Sequence, residues 1–393
     1  MSVVMNQRAE RAGIADLRDK VLAGERLTED DGVRLFDCQD LELVGWLADG
    51  VRRRKNGERV TYIHNLYINY SNVCILSCQF CAFARKQNEA GAWEHGVEEM
   101  AERARAAVRQ GITEIHIVGG LHPKFPFSYY TEMLRALRQV GGNLFLKCFT
   151  AVEIYHLAWR AKLSLKETLL ALKEAGLDGL TGGGAEIFAP EVREKICRGK
   201  ETAEEWLACH RQAHELGLPT TCTMLYGHVE TRRHRVDHLC RLRELQDETK
   251  GFVGFVPLSF HPENTELAHV PKPTGREDLR TLAVSRLFLD NFDHITGYWI
   301  GLGLKLAQVA LSYGVDDLHG TLQEEHIFHM AGSRAPAAAG QAQLRRMILE
   351  AGREPVQRDS FYRPVSGNVD RASGVVENEK LSSVGAVSDA ITY

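Results

Sequence analysis

The chain has 393 residues, 44% of them hydrophobic and 25% charged, with a formal net charge of −4. This is an ordinary soluble composition, and it supplies no global basic field for nucleic acid. No apolar run reaches the ~18 residues that span a bilayer, the polar N-terminus carries no signal-peptide core, and nine cysteines, an odd number, fit a reducing cytoplasm better than a disulfide framework.

The first elements in the chain are helical. Residues 15–22 have a helical pattern, and Leu27-Thr28-Glu29-Asp30-Asp31 reads as a helix start with Thr28 as its cap. Val33, Leu35, Phe36, Leu41, Val44 and Leu47 continue the apolar stripes. Residues 1–58 are expected to form a helical extension lying over the bottom of a barrel.

From Tyr62 onward, strand-like and helix-like runs alternate, which argues for repeated βα units and a parallel sheet. Strands are predicted at 66–70, 114–118, 144–149, 177–181, 220–225, 252–258, 295–300 and 314–317. The main helices are predicted at 97–110, 128–140, 165–175, 202–216, 236–249, 276–291 and 302–312. Gly111, Gly176, Gly217 and Gly251 fall just past helical runs, where a left-handed C-cap is wanted. Together these repeats predict an α/β fold, a (βα)8 TIM-type barrel over residues 59–335. Residues 336–362 are expected to add a short helical closure. Residues 363–393, rich in Ser, Gly, Asn, Glu and Val without periodicity, read as a flexible tail.

Cys74, Cys78 and Cys81 fall at Cys-x3-Cys-x2-Cys spacing directly after the first of these predicted strands. A structural zinc site wants four protein ligands, usually as two separated pairs, and no fourth lies nearby. A 4Fe–4S cluster takes one thiolate per iron, so three cysteines leave one iron open. A zinc knuckle with a remote ligand and three incidental thiols are the other readings of the spacing. The six other cysteines are scattered singly and read as small buried residues.

With Phe80 directly before the third cysteine, this stretch resembles the radical S-adenosylmethionine (SAM) enzymes. The resemblance implies a 4Fe–4S cluster on Cys74, Cys78 and Cys81, SAM on the open iron as co-substrate, and Phe80 against its adenine. The site is then expected at the C-terminal ends of the barrel strands. Gly119 and Gly120 let backbone approach a ligand closely, and the resemblance gives them the methionine amino group; a plain βα turn is the other reading. Thr150 stands at the mouth of the third strand, facing substrate or capping the next helix. Glu186, after Gly182-Gly183-Gly184, suits ribose hydroxyls. Arg193 suits either the methionine carboxylate or a surface ion pair. Gly227 and His228 end the fifth strand, in a region that the resemblance packs along the adenine; His228 is an acid–base group or a structural histidine. His261 follows the sixth strand. Tyr298, on the seventh, is a wall for an aromatic substrate or plain core.

Longer stretches narrow the resemblance. Residues 67–74 (Tyr-Ile-Asn-Tyr-Ser-Asn-Val-Cys) resemble the futalosine-route enzymes of menaquinone synthesis and the deazaflavin (FO) synthase subunits. Residues 118–123 (Val-Gly-Gly-Leu-His-Pro), 182–188 (Gly-Gly-Gly-Ala-Glu-Ile-Phe) and 223–230 (Thr-Met-Leu-Tyr-Gly-His-Val-Glu) resemble the aminofutalosine synthase family. That family implies addition of a 5′-deoxyadenosyl radical to the double bond of 3-[(1-carboxyvinyl)oxy]benzoate. Rearrangement and loss of one carboxylate then give 6-amino-6-deoxyfutalosine. A substrate with two carboxylates needs charge-assisted donors. Arg85, His122, His228, His261 and Arg286 are the candidates, His228 and His261 first; Arg286 lies on the helix predicted at 276–291, and a structural role is its other reading. The implied reducing partner is a flavodoxin or ferredoxin. Two other classes stay open: a sister enzyme, either dehypoxanthine futalosine cyclase or an FO synthase subunit, and a non-catalytic iron–sulfur or zinc module.

Overall fold

A computed structural model describes residues 3–141, 143–322 and 324–365. Beyond residue 365, the tail expected from the sequence lies outside the described residues. The strands in chain order are β1 (Arg59–Ile63), β2 (Asn65–Ile68), β3 (Glu114–Ile117), β4 (Phe145–Cys148), β5 (Thr220–Tyr226), β6 (Phe252–Ser259), β7 (Asp317–Gly320) and β8 (Glu354–Arg358).

Parallel pairing carries these strands round a ring. Leu66 of β2 pairs with Ile115 of β3, and Ile115 with Leu146 of β4. Single bridges continue from Lys147 to Gly179, from Leu180 to Thr220 of β5, from Phe255 of β6 to Ile295, and from Thr296 to Asp317 of β7. β7 pairs with β1, which runs into β2 through His64 and closes the ring. This is the parallel α/β barrel that the alternation predicts. The strands expected at 177–181 and 295–300 shrink to bridges, and Tyr298 instead precedes the helical turn Trp299–Leu302.

The barrel strands are buried on both faces, so polar residues on them are informative. In β3, Glu114 and His116 alternate with Ile115 and Ile117, placing the polar pair inward and the isoleucines under the helices. Thr28, Thr150, Ser164 and Thr202 each open a helix through a capping box, worth about 1 kcal/mol apiece. Gly111, Gly176 and Gly217 take the positive φ expected of them, but at the fourth position Lys250 does so instead. Gly251 is required for space: a Cβ there would meet the His214 ring at 2.0 Å.

The N-terminal extension packs against outer helices of the barrel. Its helices Glu29–Asp37 and Leu41–Asn56 pack on the outer helices Arg232–Thr249 and Gly275–Phe288. Arg243 and Arg280 donate to the carbonyls of Leu27 (2.9 Å) and Phe36 (3.1 Å) across this contact. The bottom is closed by the C-terminal segment, and the closure expected to be helical is half strand. After helix Gln341–Glu350, β8 pairs along β1 from Arg59–Glu354 to Ile63–Arg358. This satisfies the backbone edge of β1 that the ring leaves free. Arg358 reaches Asp317 at 2.7 Å, Ser360 donates to Glu114 at 2.8 Å, and Tyr362 stacks on His294 at 3.9 Å. No described helix is long and apolar enough to cross a membrane.

Candidate active site

A cavity of ≈ 270 Å³ lies at the C-terminal ends of the barrel strands. One wall is the loop that follows β2. Its backbone folds back on itself, with Cys74 N donating to Arg85 O and Arg85 N to Asn72 O, both at 2.9 Å. Lys86 Nζ then donates to the carbonyls of Cys74 (3.2 Å), Ile75 (3.0 Å) and Leu76 (2.8 Å). Gly120 packs against the loop so closely that a Cβ would meet the Val73 carbonyl oxygen at 2.3 Å.

Cys74, Cys78 and Cys81 line the cavity and stay partly exposed, whereas Cys38, Cys148, Cys197, Cys209 and Cys222 are buried. Cys240 is partly exposed, but on the outer helix Arg232–Thr249. Burial pushes the Cys78 and Cys81 thiols up, so three thiolates here need a positive partner, which iron would supply. Among the described residues no group of three His, Cys, Asp or Glu is placed to hold a single metal ion. Ligands that each bind a separate iron of a cluster need not converge on one point. The donor set therefore fits a cluster better than a lone zinc ion.

Phe80, Gly119, Gly120 and Glu186 share the cavity with the cysteines. Glu186 has φ 45° and pairs with Lys200, whose ammonium lies 5.5 Å from the centre of the Phe80 ring. Against its burial, Glu186 and Glu201 hold Lys200 above the ordinary lysine value. Thr150 also lines the cavity, and it caps a helix as well: its amide and hydroxyl each donate to Glu153 at 2.8 Å. Glu153 further accepts from the Tyr70 hydroxyl (2.8 Å) and Gly119 N (3.1 Å). Burial pushes its carboxyl up to about 7 against these bonds.

The rest of the lining is aromatic. Tyr67 stacks on His116 at 4.5 Å, and Tyr298 meets His319 edge-on at 5.2 Å. His261 lines one side; its Nε2 donates to Gly301 O at 2.8 Å and its Nδ1 accepts from Lys272 at 3.2 Å. Burial, partly offset by the Gly301 carbonyl, keeps that imidazole below its ordinary value.

Six residues expected at the site do not line the cavity. Arg85 spends its guanidinium on the carbonyls of Ala82 and Ala84, both at 2.8 Å. Arg193 donates to the carbonyls of Ala185 (2.7 Å) and Glu201 (3.1 Å), bracing the chain around Glu186. His122 is locked between Glu94 (2.7 Å) and the amide of Phe125 (3.0 Å). His228 donates to Leu225 O at 3.0 Å and accepts from Val229 N at 2.7 Å, with Glu230 beside it. Gly227 faces Pro273, which a Cβ would meet at 2.1 Å. Arg286 is fully buried on Asp316 and the Gly314 carbonyl under the outer helices. Conversely, Tyr67, His116, Lys200, His319 and Glu325 line the cavity without being singled out by the sequence. Only His116 carries a signal there, as a polar residue alternating with isoleucines in a strand.

The radical SAM superfamily profile matches residues 68–242, and the CofH/MqnC C-terminal region profile matches residues 249–386. The chain is 49% identical over 362 residues to an aminodeoxyfutalosine synthase of Thermus thermophilus, covering 90% of this chain and 97% of the relative. It is 44% identical to the enzyme of that name from Streptomyces coelicolor, covering 88% and 92%. It is also 41% identical to a 5-amino-6-(D-ribitylamino)uracil–L-tyrosine 4-hydroxyphenyl transferase of Methanoculleus marisnigri, covering 90% and 98%. Among solved structures, the FeFe-hydrogenase maturase HydG from Carboxydothermus hydrogenoformans shares the fold at TM-score 0.71 and 19% identity, over 92% of this chain and 83% of that one.

Proposed function

Because the chain belongs to the radical SAM superfamily and carries the C-terminal region of the CofH/MqnC proteins, we propose that it catalyses the aminodeoxyfutalosine synthase reaction. In that reaction the 5′-deoxyadenosyl group of SAM is added to the double bond of 3-[(1-carboxyvinyl)oxy]benzoate, and rearrangement with loss of one carboxylate gives 6-amino-6-deoxyfutalosine. Members of the superfamily bind a 4Fe–4S cluster and SAM, and the bound cluster supplies the electron that cleaves SAM.

In this reading Cys74, Cys78 and Cys81 are the cluster ligands, and Lys86 holds their loop. Gly119, Gly120, Glu186 and Phe80 form the SAM side of the cavity, and Tyr298 and His261 the substrate side. The barrel over 59–335 carries the chemistry, while 1–58 and 336–362 brace it. A flavodoxin or ferredoxin is the expected reductant. Held at near contact inside one cavity, substrate and adenosyl group meet with little water or stray hydrogen donor between them.

One observation carries the proposal: a single cavity joins the three cysteines to an aromatic end built from Tyr67, Tyr298 and Phe328. The identities of 49% and 44% to named aminodeoxyfutalosine synthases, against 38–42% to the tyrosine transferases, favour this substrate. The test is anaerobic. Reconstituted protein receives dithionite, SAM and the carboxyvinyloxy-benzoate, and products are read by mass spectrometry. An adenosyl adduct lacking one carboxylate is expected. Turnover of L-tyrosine with 5-amino-6-(D-ribitylamino)uracil instead, or of dehypoxanthine futalosine, would move the chain to a sister activity. Absence of SAM cleavage with an intact cluster would overturn the enzyme reading.

A further inference from the structure

The inner end of the cavity holds two imidazoles that have no hydrogen-bond partner among the described residues. His116 of β3 and His319 of β7 are 8% and 6% exposed, both line the cavity, and their ring centres lie 6.1 Å apart. In each ring Nδ1 is sealed from solvent and has no hydrogen-bond partner among the described residues. A neutral imidazole carries one N–H and one lone pair. Sealing an unpaired N–H inside protein is rarer than sealing a lone pair, so burial assigns the proton to the other nitrogen, Nε2. Each ring then offers an N–H to the cavity. His319 holds its place with φ 61°, in the left-handed region that a non-glycine residue occupies at a cost.

The surroundings complete the picture. Tyr67 and Tyr298, packed on the two histidines, have no hydrogen-bond partner for their hydroxyls among the described residues. Glu325 also lines the cavity, but it is engaged by the Phe328 amide (3.0 Å) and by His329 (3.2 Å). Beneath, Lys147 lies 3.7 Å from Glu114, and Arg358 is paired with Asp317, so the charges under this end are matched one to one. His116 precedes Gly119 along an extended strand by about 10 Å, which separates this end from the cysteine wall. The result is an aromatic compartment with unused donors and a neutral floor.

We propose that this inner end binds the benzoate portion of the substrate, with Nε2 of His116 and His319 donating to the ring carboxylate and Tyr67 and Tyr298 against the ring. A carboxylate is acceptor-only and matches donors that have no other partner. Bound this way, the substrate directs its vinyl ether toward the cysteine wall. The identity of the acid rests on the reaction proposed above; the preference for an aryl carboxylate rests on the two histidines.

Calorimetric titration tests the site without turnover. Protein reconstituted with its cluster is kept oxidised with SAM and titrated with 3-methoxybenzoate and with its neutral isostere 3-methoxybenzamide. The benzoate is expected to bind at least about tenfold more tightly than the amide. His116→Phe and His319→Phe keep an aromatic ring but no donor; each should lower benzoate affinity by about as much, with SAM affinity unchanged. Equal affinity for benzoate and benzamide in the unaltered protein overturns the proposal, and this measurement needs no variant to fold. So does unaltered benzoate affinity in a folded double variant. If the benzoate binds as expected but the carboxyvinyloxy-benzoate yields no adenosyl adduct, the site stands and the reaction falls. If the adduct forms while benzoate and benzamide bind alike, the reaction stands and the site falls.

Discussion

The Tyr70 hydroxyl donates to the buried Glu153 carboxylate at 2.8 Å, joining the approach to the cysteine loop to the cap of the helix after β4. The same carboxylate oxygen accepts from Gly119 N. Tyr70→Phe leaves that oxygen with one donor fewer in a fully buried place. The expected loss of stability is about 1–3 kcal/mol, read as a lower midpoint in urea. An unchanged midpoint would show that the bond contributes nothing net.

Gly120 and Gly50 make a contrasting pair. A Cβ at Gly120 runs into the Val73 carbonyl beside Cys74, whereas one at Gly50, inside helix Leu41–Asn56, meets nothing within 4 Å. Gly120→Ala should displace the loop and lower the iron retained after reconstitution. Gly50→Ala should retain full iron and gain about 0.5–1 kcal/mol from helix propensity. Iron analysis of both variants decides whether the close packing at Gly120 shapes the cysteine loop.

Under the cavity, Asp317 accepts from Arg358 (2.7 Å) and from the hydroxyls of Thr61 (2.8 Å) and Thr296 (2.9 Å). Arg358→Met leaves this carboxylate buried without its counter-ion. Breaking one side of such a pair costs on the order of 3–5 kcal/mol, and the two hydroxyls should keep the loss near the low end. Chemical denaturation measures it. A loss below about 1 kcal/mol would mean the floor tolerates the bare carboxylate.

Donating a hydrogen bond to the Glu325 carboxylate raises His329 to about 9, with burial opposing. A histidine raised in the folded state adds stability that is fully present below its unfolded value, about 6.5, and is lost as pH climbs through the folded value. The thermal midpoint should therefore fall from about pH 7 to about pH 9.5, and fall less steeply in His329→Gln. Parallel pH profiles of the two proteins would remove His329 from this role.

The cysteine loop and the barrel are legible because both are local patterns. Three thiols in one turn, and strands alternating with helices, need no knowledge of what lies across the molecule. The six residues that miss the cavity show where that stops. For Arg286 and Arg193 the sequence leaves a ligand role and a structural or ion-pair role both open; only the folded chain shows that Asp316 and the backbone around Glu186 consume them. His122 and His228 stand at strand ends as an active site demands, but the turn of His228 takes up both its ring nitrogens, and those of His122 go to its own turn and to the distant Glu94. β8 hides inside an expected helical closure because Glu-Pro-Val-Gln-Arg has no apolar alternation, and its partner β1 lies at the other end of the sequence. His319 is invisible for the same reason, since its meaning depends on His116.

The pairing of Arg59 with Glu354 has a consequence for biogenesis. During synthesis β1 leaves the ribosome early, while the residues that cover its edge and seal the barrel floor come 295 positions later. Until then the nascent chain carries a bare strand edge, and Asp317 lacks Arg358. Long-range closure of this kind is slow and exposes aggregation-prone surface. A ribosome stalled short of β8 would thus release a protein whose cysteine loop is complete but whose barrel is still open from below, a natural client for chaperones.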